Sequence, residues 1–264
     1  MNNKQERIDL VSNITTNLDE IIAKDLNGYC PVHSILGSGA FTTVFEIYPI
    51  NVPTDDFRDP VLVMSLDQEK ADLFEAVTGL KTFKLDSLRL ENLLAETEKE
   101  MISENEHLYS SVEELMGDMN VYDYVSPFEP SLYFEEYIQN DICLYITEKV
   151  ENEFSETEST YLDIAIGIWE HNKKYGVEYT EEEVRKLLDH ELTTGYLQDY
   201  LLPFEFSLEN IDFNLMTMYV NVISRDISIM REMLSHRTIS LDLHEGQFIK
   251  HNNKVFLIDS YVIG

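Results

Sequence analysis

The sequence predicts an α+β protein in two parts, a small antiparallel sheet in the N-terminal half and a mostly helical C-terminal half. Three observations predict it. The segment Ser34–Glu46 sets two glycines, Gly37 and Gly39, between apolar, β-prone runs, and further strand-like runs follow before residue 150. Leu215-Met216, Tyr219-Val220, Ile223, Ile227, Met230 and Leu234 then form the clearest helical stripe in the chain. Finally, Phe248-Ile249 and Val255–Ile258 are two apolar runs joined by a polar turn.

Composition bounds the classes. A chain of 264 residues, 44% apolar, can build one sizeable core or two. No apolar run reaches the ~20 residues of a membrane span, and Met1–Glu6 lacks the apolar core of a signal segment. Cys30 and Cys143 are isolated, give no metal-ligand spacing and suit a reducing compartment. The expected location is therefore the cytoplasm, with no membrane partner. Fifty acids against nineteen bases leave a net charge of −31, which repels nucleic-acid phosphates and argues against direct nucleic-acid binding. Such a charge serves solubility, or it lets the chain act as an acidic decoy in the nucleic-acid groove of another protein.

Taken in order, Ile8, Leu10-Val11, Ile14, Leu18, Ile21-Ile22 and Leu26 predict a packing helix over residues 6–27, stopped by Asn27-Gly28. The glycine-turn hairpin comes next, and Pro60–Ser65 is a third strand. Leu85, Leu88, Leu90, Leu93-Leu94 and Met101-Ile102 predict one or two helices over 85–118, with a solvated acidic face. Met119–Val125 and Asp141–Thr147 read as strands, and Glu148–Val150 as a polar link. Residues 151–160 are acidic and Ser/Thr-rich, as a linker would be. Beyond them the chain is mostly helical to 235, with Thr180–Glu183 as a capping box. The histidines are scattered and form no metal set.

The closing stretch carries the chemistry. Asn252-Asn253 suits a hairpin turn, because Asn tolerates positive φ. Such a hairpin sets Asp242 at its entrance and Asp259 at its exit. Paired carboxylates at a hairpin edge suit a hydroxyl proton or a Mg²⁺ ion.

Asp242-Leu243-His244-x-Gly246 with Asp259 resembles the catalytic loop and metal-binding segment of protein kinases and small-molecule kinases. Asp-Leu-His-x-Gly is the form seen in bacterial, phage and aminoglycoside-type kinases. Gly37, Ser38, Gly39, Phe41 and Val44 are similar to the kinase glycine-rich loop, with Thr42 where a third glycine would stand. Asn120-Val121-Tyr122-Asp123 with the following strand and link particularly resembles small bacteriophage-encoded serine/threonine kinases. The resemblance implies a two-lobed protein-kinase-like fold. It would have a helical extension over 1–28, a small sheet lobe over 29–150, and a helical lobe over 151–264 that is truncated just after the metal-binding Asp. It implies ATP and Mg²⁺ as cofactors. Asp242 takes the catalytic role and Asp259 holds metal. The backbone of Glu148–Val150 meets adenine, and the glycine turn lies over the phosphates.

Two departures bear on activity. Gln247 stands where the family has a metal-ligating Asn, and it keeps the amide on a longer stem. The third strand offers Met64 and Ser65 where kinases carry a phosphate-binding Lys; Lys70, Lys81 and Lys84 are the nearby cations. The expected function is a divergent protein kinase acting on a host protein. The alternatives are an inactive pseudokinase, or an acidic nucleic-acid mimic that binds a host nucleic-acid enzyme.

Overall fold

In the computed structural model the residues described are 3–38, 42–48, 57–111, 113–115, 117–118, 142–151, 153–175, 182, 212–258 and 261–263. They form an α+β protein that divides into two units, Met1–Glu75 with Leu80–Lys149 and Ala76–Gly79 with Val150–Gly264.

The first unit opens with α1 (Asn3–Thr16) and α2 (Leu18–Tyr29). One helix was expected over 6–27. The chain instead breaks at Asn17, whose side-chain amide turns back onto the Asn13 carbonyl at 3.0 Å and competes with the helical ladder. Five strands follow: β1 (Val32–Ser38), β2 (Thr42–Ile47), β3 (Pro60–Ser65), β4 (Phe83–Leu85) and β5 (Cys143–Glu148). They pair antiparallel in the order β1-β2-β3-β5-β4. β3 and β5 are almost wholly buried, as their near-continuous Val, Leu, Ile and Tyr runs require.

Two helices accompany the sheet, α3 (Lys70–Thr78), between β3 and β4, and α4 (Leu88–Glu104). α4 lies within the span expected to be helical, whereas α3 and β4 have no counterpart in the sequence reading. α3 places Phe74 against Tyr145 of β5, with ring centroids 6.0 Å apart. The core of this unit draws Val11, Ile22 and Leu26 from the two leading helices into one buried cluster with Phe45, Leu62, Met64 and Ile146. Arg7 braces the cluster's flank. Its guanidinium pairs with Glu114 at 2.8 Å and Asp118 at 2.6 Å and lies over the Tyr109 ring at 4.5 Å. The strand expected over 119–125 lies outside the described residues.

The second unit packs α5 (Glu156–Tyr175) against α6 (Phe213–Met233). α5 begins inside the stretch expected to be a linker. The cause is local: the Ser155 hydroxyl accepts the Glu158 N–H at 3.3 Å, and the Glu158 carboxylate accepts the Ser155 N–H at 2.9 Å. That reciprocal pair is a capping box. α6 is capped by Asp212, whose carboxylate accepts the N–H groups of Asn214 and Leu215. Its buried face is the expected stripe, Met216, Tyr219, Val220, Ile223, Ile227 and Met230, with Asp226 among them.

Two short strand pairings close the unit. β6 (Ile239–Leu241) pairs with β9 (Tyr261–Ile263), and β7 (Phe248–His251) pairs with β8 (Lys254–Leu257). The β7–β8 turn is the expected two-residue one. Asn252 and Asn253 both take positive φ, 49° and 61°, as a primed hairpin turn demands. The capping box expected at Thr180–Glu183 falls outside the described residues. Among those residues no helix is long and apolar enough to cross a membrane.

Candidate functional site

The segment between β6 and β8 is built on backbone hydrogen bonds. Leu241 pairs with Tyr261, and the chain then turns out so that Asp242 stands exposed. His244 accepts the Gln247 N–H at 3.2 Å, closing a single 3₁₀ turn over Glu245–Gln247. A Cβ added at Gly246 would come within 3.1 Å of two atoms of the His244 ring. A side chain there would need the exposed His244 ring to give way by a few tenths of an ångström, so glycine eases this turn. Gln247 returns the chain to the core, and its carbonyl accepts the Ile258 N–H at 3.0 Å.

Gln247 is the least ordinary residue of the segment. It is 7% exposed, and its side-chain Oε1 is buried with no hydrogen-bond partner among the described residues. A buried amide oxygen left unsatisfied costs about 1–3 kcal/mol. Hard carbonyl oxygens of this kind are Mg²⁺ and Ca²⁺ ligands, so the donor fits the ion expected at this position. Among the described residues no group of three His, Cys, Asp or Glu side chains forms a metal cluster. Asp259 lies outside the described residues. The chain on either side of it is tied at Gln247, through Ile258, and at Leu241, through Tyr261.

Two carboxylates that sequence reasoning missed support this segment. Asp226, fully buried on α6, accepts the Leu257 N–H at 2.9 Å and is gripped by the adjacent Arg225 at 2.6 and 3.0 Å. Burial pushes its pKa up, against the opposing pull of Arg225 and the Leu257 amide. Asp163, on α5, faces the 3₁₀ turn. Burial, and then the neighbouring Glu245 carboxyl with which it shares a hydrogen bond, push Asp163 up to about 6, while His244 pulls the other way. Both had a sequence signal: Asp163 interrupts the apolar Leu162-Asp163-Ile164, and Asp226 falls on the helical face of Ile223, Ile227 and Met230, three, one and four residues away.

The remaining expected site residues lie mostly in the first unit. Gly37 and Ser38 end β1 and pair with Val44 and Thr43 of β2. The Ser38 and Thr43 hydroxyls bond at 3.0 Å. A Cβ at Gly37 would meet nothing within 4 Å, so packing within the protein does not demand glycine there. Gly39 and Phe41, like Asp259, lie outside the described residues. Glu148 ends β5, its carboxylate accepting the Arg58 N–H at 3.2 Å. Val150 follows in the second unit and makes no backbone hydrogen bond among the described residues.

On β3, Met64 and Ser65 are both buried, and the Ser65 hydroxyl bonds Thr42 at 3.1 Å. Of the nearby cations, Lys84 pairs with Asp72 at 2.7 Å on the surface. Lys70 is 3% exposed at the first turn of α3, a rare state for a lysine.

Comparison with known proteins brings no identification: no family model, no curated protein and no solved structure matches the chain.

Proposed function

We propose that the chain is a divergent ATP-dependent serine/threonine protein kinase of the phage-encoded kind. The observation that carries this reading is the buried, unpartnered Oε1 of Gln247 in the loop that begins at exposed Asp242 and ends at Ile258. A kinase-like loop needs an oxygen donor for metal at that place, and no hydrogen-bond partner among the described residues accounts for this oxygen. The first unit supports it through the order of its parts: a hairpin with a glycine turn, a third strand, a helix, and a strand leading to a polar link.

Each residue then has a role. Asp242, which makes no hydrogen bond among the described residues, accepts the proton of a Ser or Thr hydroxyl as its oxygen bonds to the γ-phosphorus and ADP leaves. Gln247 and Asp259 would hold Mg²⁺, which neutralises phosphate charge. The open backbone of Val150 offers a donor and an acceptor to an adenine edge. Lys70, five residues after the end of β3 and withdrawn from solvent, is the candidate for the cation that β3 lacks.

The buried Met64 and Ser65 favour a second reading, a pseudokinase that binds nucleotide without transferring phosphate. Transfer of labelled γ-phosphate from Mg-ATP to the chain itself or to a mixed-substrate protein preparation separates the two. Label that disappears in Asp242→Asn, with the Mg-ATP thermal shift retained, supports the kinase. A shift without transfer supports the pseudokinase, and absence of both overturns the nucleotide reading.

A further inference from the structure

A cavity of about 560 Å³ in the second unit is lined by Trp169, Lys173 and Lys174 of α5, Arg231 of α6, and Ile239, Ser240, Leu241 and Leu243 around β6. Its charge runs against the rest of the molecule. Three of the nineteen basic side chains of a chain with fifty acids line this one space, and Glu170 is the one carboxylate among its lining residues. The bland account is that lysines and arginines in the last turns of two helices complement the helix dipoles. That account explains each cation singly but not their meeting at one cavity. With Glu170 and roughly half a unit of negative charge from each helix end set against them, the lining side chains still sum to about one positive charge, and Asp242 stands between the lining residues Leu241 and Leu243 without being one of them.

Its walls add shape to charge. Lys173 lies over the Trp169 ring at 5.4 Å, which holds the ammonium at the rim. Arg231 offers the planar fork that matches phosphate oxygens two at a time. Ile239, Leu241 and Leu243 give an apolar wall for whatever carries the anion. Volume and lining fall in the range of ordinary ligand sites.

We propose that this pocket binds a phosphomonoester group, a dianion that three convergent cations hold better than a single carboxylate. Leu241 and Leu243 flank Asp242, so the ligand rests against the segment that carries that residue. The binding itself needs neither ATP nor Asp242, and it stands or falls separately from phosphotransfer.

Trp169 is the only tryptophan in the chain, so its fluorescence reports the pocket directly. The full chain is titrated, without ATP, with a phosphoserine peptide, its unphosphorylated twin, AMP and inorganic phosphate. The expected result is a saturable, salt-sensitive change with at least one phosphomonoester and none with the twin; the strongest responder identifies the carrier. Arg231→Gln and Lys173→Gln, both at exposed positions, should each weaken it about tenfold. Lys254→Gln, on the β7–β8 hairpin, should leave it unchanged. No saturable change with any of the three phosphate compounds, or a change that both pocket variants retain in full, overturns the proposal.

Discussion

The carboxylate of Asp226, sealed inside α6, accepts the backbone N–H of Leu257 at 2.9 Å. A long helix is thereby pinned to the strand that leads towards residue 259. Asp226→Ala would leave that amide buried without an acceptor and free the Arg225 guanidinium. Urea denaturation should show a loss of about 2–3 kcal/mol. Asp226→Asn keeps one acceptor oxygen and should recover part of it.

Gln247→Leu should move stability and ligand response in opposite directions. Removing a buried amide oxygen that has no partner should raise the stability of the nucleotide-free protein by about 1 kcal/mol. The thermal shift produced by Mg-ATP should shrink or vanish. A variant that is less stable and still responds fully would mean that the amide is bonded and holds no metal.

Asp163 should make the protein less stable as pH rises. Its carboxyl titrates at about 6 in the fold against 3.8 for the free side chain, so the fold binds a proton that the unfolded chain releases. That contribution is whole below the unfolded value and is lost as pH climbs through about 6, amounting to about 2 kcal/mol. Melting curves of the parent and Asp163→Asn should converge near pH 4 and separate by pH 7, with the variant the more stable.

The opposite sign applies to Glu158. The Lys250 ammonium at 2.7 Å, and then the Ser155 N–H, hold its carboxyl down at about 2. Its contribution is present above the usual carboxylate range and is lost as pH falls through about 2. Lys250→Met should cost about 1 kcal/mol at neutral pH, allowing for partial solvent screening. The difference from the parent should disappear in strong acid.

Asn253→Ala tests the hairpin turn. At φ of 61° alanine keeps the Cβ but lacks the short polar side chain through which asparagine tolerates the left-handed region, which costs about 1 kcal/mol. Hydrogen exchange at the Phe256 amide, which strand alternation turns towards β7 while Leu257 turns to Asp226, should quicken if the cost falls on the β7–β8 pair.

The elements that were legible in the sequence carry their cause locally. The Asn252-Asn253 hairpin follows from the turn residues themselves, and the α6 stripe follows from its period over twenty residues of apolar spacing. α5 was only partly legible: the Ser155-x-x-Glu158 capping box lies in an acidic run that reads as linker, and its signal was present but outweighed by composition. α3 could not be read, because nine residues give barely two turns and Phe74 declares its face only against Tyr145. The site divides the same way. Asp242 and Gln247 sit in a local motif, whereas Asp163 and Asp226 matter through contacts to residues distant in the chain. Nothing local marks where a buried acid finds its partner.

The buried cluster of the first unit has members from Val11 to Ile146. During synthesis, then, the two leading helices leave the ribosome long before β5 exists to complete their packing. Until more than half of the 264 residues have been translated, their apolar faces, and those of β2 and β3, have no finished core to enter. A nascent chain in that state is a natural client for chaperones that shield hydrophobic segments, and its yield in a cell should follow their supply more closely than the stability of the finished fold.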